Sequence, residues 1–564
     1  MGVRCKYNFL NRKYNEKDIC SNGLCIPGID GCELDRLPET TLADTNFWKS
    51  ENDFRGACNK LYVDLGGFWQ DTRSDEIVST SPNSVSTGNR TVPATSSDWT
   101  DPYNKIGVAN NIIKQIGASA QAETVKNRWI AEACFFRAFH YFDLVKKYGN
   151  VPLILKPFTS TSDPDIYTER TPREQVIQQC YKDLDFAYEN LPDIDKLSDA
   201  VNWGRVSKSA VLGLLTRIGL YEGTFSKYHN LGSDYKLHLK RSIDAAALLI
   251  ASGKHSLYPD FEKMFLFDGE GRQNRENVFV KVYGPNGAGT TTHNNSRTLE
   301  NSVSVTRYVI DQFLYTDGLP RDMSPFTIQN ETHYNDVFEN RDPRLAMTCY
   351  KYNEDAYKGG YTPFNNAHGF GYPIKKGFMY DEWQLNGKAT VDKMIIRYAE
   401  VLLSYAEALY EYNGFISDEQ LDITVNTVRK RAGMTARLTN EFAEQNGLNM
   451  LDEIRRERLV EFVDEGIHYD DIIRWKTAEK VLPVCILGLK YIEGETTASR
   501  EDLAKRLTTE NGMFNGKKVA GQADLYVIEA EDTRSFDPAR DYYYPIPTYE
   551  IATSKGVLDQ NPKW

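Results

Sequence analysis

The chain has 564 residues, with 67 Lys and Arg against 79 Asp and Glu, a formal charge of −12. Hydrophobic residues make up 41% and charged residues 26%, which is ordinary globular usage and excludes wholesale disorder and a collagen-like repeat. The acidic balance argues against a duplex nucleic-acid binder, and an aromatic share of 12%, carried largely by 34 Tyr, suits wet binding surfaces as well as cores.

The first thirty residues are polar and contain no apolar h-region, so no secretory signal is legible there. No run reaches the about 18 apolar residues that a membrane-spanning helix needs. Four of the nine cysteines fall in the first 32 positions, but the Cys20, Cys25, Cys32 spacing fits no zinc template, and the later cysteines sit in apolar helical patterns. Neither a disulfide framework, a metal site nor a cofactor is expected.

Ser50 stands three before Asp53, a capping-box spacing, and Phe54, Ala57, Cys58, Leu61, Tyr62 and Leu65 then follow helical periodicity. Residues 66–100 are rich in Gly, Ser, Thr, Asn and Pro, and are expected to form a long loop; loops of that length are usually functional or disordered. Residues 123–148 are apolar almost all round, which predicts a helix covered on two sides, stopped at Gly149. Further helices are expected near 171–190, 207–224 with Ser207 as cap, 237–251, 395–412, 417–431, 450–464 and 467–479. Ala399 and Ala406 flank a Tyr398, Leu402, Tyr405, Leu409 stripe, so a neighbouring helix can approach closely, as in tetratricopeptide-type pairs. Residues 255–390 read as irregular, with short strands such as 278–282.

Catalytic motifs are missing from the pattern. There is no HExxH, GxSxG or GxGxxG, and the Gly-rich run 284–289 is followed by Thr290 where a P-loop needs Lys. Asp193, Asp195 and Asp199 imitate the start of a calcium loop, but Ser198 replaces the turn glycine and Gly204 the bidentate Glu. Glu457, Glu461 and Glu465, beside Arg455, Arg456 and Arg458, read as a salt-bridged helix face.

Seven blocks in order carry a resemblance. NRWIAEACFFRAFHYFDLVKKYGNVPL at 127–153, NWGRVSKSAVLGLL at 202–215, RDPRL at 341–345, IRYAEVLLSYAEAL at 396–409, NTVRKRAG at 426–433, RERLVEFVDEG at 456–466 and YPIP at 544–547, with QNP at 560–562, resemble the motifs of the SusD/RagB family. The resemblance runs from about Cys32 to Trp564. It implies a mainly α fold: a SusD-like helical scaffold with tetratricopeptide-type pairs plus a loop-rich part with a few short strands. On this reading residues 1–31 are an atypical leader, 32–250 an N-terminal helical region bearing the 66–100 ligand loop, and 251–564 a C-terminal region, loop-rich over 255–390 and helical over 395–480. Cys32 resembles the lipidated first residue of the mature family proteins, although Asp30 stands where they have a small uncharged residue.

The resemblance further implies a non-catalytic, surface-exposed outer-membrane lipoprotein. Such a protein captures oligosaccharide and delivers it to a SusC-like TonB-dependent transporter; no nucleic acid is involved. Sugar recognition needs aromatic faces for stacking and polar groups for hydroxyls. The candidate contacts are Trp69, Arg90 and Trp99 in the first loop and Tyr283, His293, Asn294 and Asn295 in a second, Gly-rich loop over 283–303. Tyr361 and Trp383 are further candidates, whereas Trp48, Trp129, Trp203 and Trp475 sit in scaffold motifs. Two competing readings are a tetratricopeptide-type scaffold or lid of the transporter that handles a non-glycan nutrient such as peptides, and a glycoside hydrolase.

Overall fold

The structure is a computed structural model that describes residues 47–63, 65–160, 162–199, 201–284, 291–365 and 370–564. Cys32 and the leader lie outside these residues. Trp48–Trp564 form one compact unit, and its described residues are mainly helical.

Helix α1 spans Glu51–Val63 and opens on the expected reciprocal cap: the Ser50 amide donates to the Asp53 carboxylate at 2.7 Å and the Asp53 amide to Ser50 Oγ at 3.3 Å. Helix α2, Ser97–Ala118, packs on α3, Glu123–Tyr148, and α3 on α4, Arg173–Asn190. The α3 helix stops at Gly149, whose φ of 72° suits a residue without a Cβ; an added Cβ would also meet the Tyr543 ring at 2.9 Å. Helix α5, Lys208–His229, starts at Ser207, which accepts from the Ala210 amide at 3.2 Å.

The most extensive helix contact is between α5 and α6, Tyr235–Ala251. A Cβ on Gly219 would lie 2.6 Å from the Ser242 amide nitrogen and 2.7 Å from the His238 carbonyl oxygen. Gly219→Ala must therefore part the two helices, at an expected cost of about 1–3 kcal/mol in chemical denaturation. Gly107→Ala is the control: nothing lies within 4 Å, and the same change there should stabilise by about 0.5–1 kcal/mol. The helix Tyr398–Asn413 continues the layer against α6 and α5, with Ala399 and Ala406 fully buried at its contacts.

Two small sheets brace the long loops. The strand Asn277–Lys281 pairs antiparallel with Lys393–Arg397, setting Lys281 opposite Lys393. Ile77–Ser79 pairs with Val303–Val305, which pairs with Tyr372–Pro373. The helix expected over 395–412 begins later: β-branched Ile395 and Ile396 join the ladder, and the helix starts at Tyr398, whose amide donates to the Glu276 carbonyl. The expected helix over 417–431 divides at Thr424, whose hydroxyl donates back to the Gln420 carbonyl at 2.6 Å.

Glu457 and Glu461 are buried and Glu465 is half-buried. Arg344 meets Asp342, Glu457 and Glu461; Arg397 meets Glu276, Glu461 and Glu465; Arg431 meets Glu276 and Glu461. Burial alone would raise the Glu461 carboxyl, but Arg431, Arg397 and Arg344 hold it far below the usual carboxylate range. The expected salt-bridged helix face is thus part of a largely interior knot that ties five chain segments together. Asp193 and Asp195, the calcium-loop mimic, meet Lys254 at 2.8 and 3.6 Å.

Candidate functional site

After α1 the chain leaves through Leu65, which is buried, and two glycines, and then exposes Trp69, 49% accessible. Both strands of the 277–281/393–397 pair hold this turn. Lys281 donates to the Leu65 carbonyl, and Lys393 to the Gly67 carbonyl at 2.5 Å. Phe68 faces inward, 6.0 Å from the Tyr283 ring and 4.4 Å from the His293 ring. Gln70 donates to Asn295 at 2.9 Å. Two loops far apart in sequence are thereby joined.

One side of the Trp69 indole is backed by Arg73, whose guanidinium lies 5.1 Å from its ring and 4.2 Å from the Tyr469 ring. Arg73 is fixed by a bidentate bond to buried Asp71, at 2.8 and 2.7 Å, and donates to the Tyr544 hydroxyl at 3.2 Å. A fork held at both nitrogens cannot rotate freely, so the indole rests on a rigid cationic support. Trp69 and Arg73 line a cavity of 710 Å³ enclosed by α2, α3, α5 and the segments 465–474 and 542–544. That volume is within the range of ligand sites, about 300–1,000 Å³. Its wall mixes aromatic faces, among them Phe142, Tyr221, Tyr469 and Tyr544, with charged side chains. A smaller cavity of 80 Å³ adjoins it through Trp69, Arg217, Lys393 and Glu465.

The fates of the other sequence candidates differ. Trp99 is corrected: it lies in the first turn of α2 and is 4% exposed, with its ring 4.9 Å from Tyr148 and 5.2 Å from Tyr103, so it has no free face. The loop ends at Ser96 because Trp99, Pro102, Ile106, Ala109 and Ile116 already follow a buried helical face. Arg90 is corrected too: its side chain is covered, paired with Asp541, and its guanidinium lies 4.8 and 5.1 Å from the Tyr544 and Trp564 rings. Tyr283 and Tyr361 are buried, the former supporting Phe68 and the latter among Tyr334 and Tyr350, so neither is a platform.

His293 is half-buried and donates to the Val391 carbonyl at 3.0 Å, while burial pushes its pKa down to about 4. It braces the loop as a neutral ring. Asn294 is exposed and accepts from the Gly387 amide at 2.9 Å; Asn295 is buried. Trp383 is half-buried, bonded to Glu300 through its indole N–H, capped by Arg297 at 4.0 Å, and stacked on Tyr380, which is 49% exposed. Trp69 and the Tyr380–Trp383 pair therefore retain ring surface. Arg73, Tyr469, Lys393 and Phe68 were not singled out from sequence, since their roles rest on contacts across hundreds of residues.

Several displaced pKa values surround the Trp69 turn, a pattern common at functional sites. Burial raises Glu76 to about 7, Asp392 to about 7 and Asp464 to about 8. For His468, burial is overcome by Asp75 at 2.8 Å, giving about 9. All four keep a proton in the folded chain that the unfolded chain releases at lower pH. Their stabilising protonation is complete below the unfolded values and is lost as pH rises through the folded ones. Lys393, lowered by burial to about 8, works in the opposite direction only above that pH. Thermal melts should therefore show lower stability at pH 8.5 than at pH 5.5, by about 1.4 kcal/mol per group and pH unit, and Glu76→Gln should flatten the slope. Equal midpoints at the two pH values would contradict this protonation.

The arrangement defines a class of protein: a helical scaffold that presents an aromatic face beside a polar cavity. Family models match in two stretches, the SusD family over residues 263–564 and a model described as starch-binding, associating with the outer membrane, over 58–220. The chain belongs to the SusD family. A SusD-like protein of Bacteroides ovatus is 26% identical over 480 residues, 81% of each chain. Among solved structures, a SusD-like carbohydrate-binding protein from Bacteroides fragilis superposes with a TM-score of 0.72 at 23% identity, covering 90% of this chain and 98% of its own. A structure solved with a xylogluco-oligosaccharide gives a TM-score of 0.62 at 21% identity, covering 91% and 99%.

Proposed function

We propose that this protein is a cell-surface glycan-binding protein that captures oligosaccharide and passes it, chemically unchanged, to a SusC-like TonB-dependent transporter. The observation that carries the reading is Trp69, held on Arg73 and Tyr469 with its ring exposed at a 710 Å³ cavity. A stacking face and fixed polar groups meet the two needs of sugar recognition, and water-bridged contacts contribute affinity at so open a site. Membership in the SusD family, and the relatives described as carbohydrate-binding, support the same assignment. Anchoring at the outer membrane through a lipid on Cys32 belongs to this reading.

A glycan array probed with the purified chain tests binding, with reducing-sugar release assayed on every hit. Binding without release is expected. Release of reducing ends would overturn the non-catalytic assignment, and a blank array alongside copurification with a barrel would favour a transporter lid. Intact-mass analysis of the native membrane-extracted protein tests the anchor: a lipidated chain starting at Cys32 is expected, and an unmodified one starting at Met1 would refute it.

A further inference from the structure

The charged wall of the large cavity is mostly neutralised by its own pairs. Arg73 meets Asp71, Lys146 meets Asp470, Lys147 meets Asp98 and Asp143, Arg217 meets Glu400, and Arg458 and Arg474 share Asp471. Lys393 differs. Among the described residues it forms no ion pair; its ammonium donates to the Gly67 carbonyl and lies 5.7 Å from the Phe68 ring. An ammonium carries three donors, so two are left without a protein acceptor.

The surroundings add positive charge. Lys281 is the cross-strand partner of Lys393, and like charges directly opposite one another destabilise a ladder. A nearby carboxyl, Asp464, is pushed upward by burial and forms no ion pair with Lys393 among the described residues. Lys393 lines both cavities together with Trp69. A cation with spare donors and a stacking ring thus border the same space.

We propose that this cavity takes an oligosaccharide bearing an anionic group, a uronate carboxylate or a sulfate ester, which meets the Lys393 ammonium while a sugar face rests on Trp69. The proposal rests on the glycan-binding reading and narrows its ligand class. A neutral sugar would leave the two spare donors to water, whereas an anionic one forms a charge-assisted bond in a partly desolvated site.

Calorimetry on the full chain with matched ligand pairs tests it. The pairs are oligogalacturonides against their carboxyl-reduced forms, and sulfated against desulfated galactan oligosaccharides; the two pairs separate carboxylate from sulfate. The anionic member of at least one pair should bind tenfold or more tightly at low salt, with the advantage shrinking as ionic strength rises. Lys393→Gln should bring the affinity ratio of that pair towards one, and Lys393→Arg should retain it. Lys393 also ties down the Trp69 turn, so the salt dependence of the unmodified protein is the independent measurement. Neutral members binding as well as anionic ones, or affinity insensitive to salt, would overturn the proposal while leaving glycan binding intact. No binding to any glycan on the array would overturn both.

Discussion

Trp69→Ala is expected to weaken glycan binding by about 1–3 kcal/mol, by analogy with the loss of one stacking platform in nucleic-acid recognition. That is roughly fivefold to 150-fold in dissociation constant. The side chain is 49% exposed, so its removal costs little folding stability, and melting of the variant should match the parent. Trp69→Phe keeps a smaller ring and should recover part of the loss. Arg73→Met should also weaken binding although Trp69 remains, because the indole would lose the support that orients it. Affinity electrophoresis with a ligand from the array measures all three. Unchanged affinity in Trp69→Ala would remove the platform from the binding account.

The second large effect concerns stability. Glu461→Gln keeps the shape but removes the negative charge shared by Arg344, Arg397 and Arg431. All four side chains are buried, so the three guanidinium groups lose a common counter-charge in a poorly solvated place. Breaking a buried pair in this way typically costs about 3–5 kcal/mol. A contrast is Lys240→Ala: it removes an exposed i,i+4 pair with Asp244 and should change stability by no more than about 0.5 kcal/mol. Denaturant titration of the two variants compares them directly. A small loss in Glu461→Gln would mean that water reaches the knot.

The helical scaffold was legible because its information is local. Ser50 and Asp53, Ser207, and Gly149 mark helix ends through bonds to residues three or four away, and the apolar positions of 123–148 repeat within a few turns. Helix α2, Ser97–Ala118, was not among the expected helices. Its first turn, Ser97-Asp98-Trp99, is as polar as the loop before it, and only the later Ile106, Ile112 and Ile116 disclose the buried face. Composition therefore extended the loop too far and left Trp99 looking free.

The site itself was legible only in part. That a Trp after Gly66-Gly67 should be exposed follows from the turn, and Trp69 is exposed. What backs the ring, and which cation stands beside it, depends on contacts between Trp69 and Arg73, Arg73 and Tyr469, and Gly67 and Lys393. Residue type alone does not separate Arg73 from Arg90, although one supports an open ring and the other is sealed beneath the last residue of the chain. Charge patterning likewise showed the carboxylates of 457–465 but not that their partners arrive from four other segments.

The bond from Arg73 to the Tyr544 hydroxyl joins positions 471 residues apart. During synthesis the first of these leaves the ribosome long before the second, so the nascent chain carries the indole without its finished support. The ring therefore gains its full backing only after the segment bearing Tyr544 docks, and a product terminated before it would display the ring yet hold it loosely.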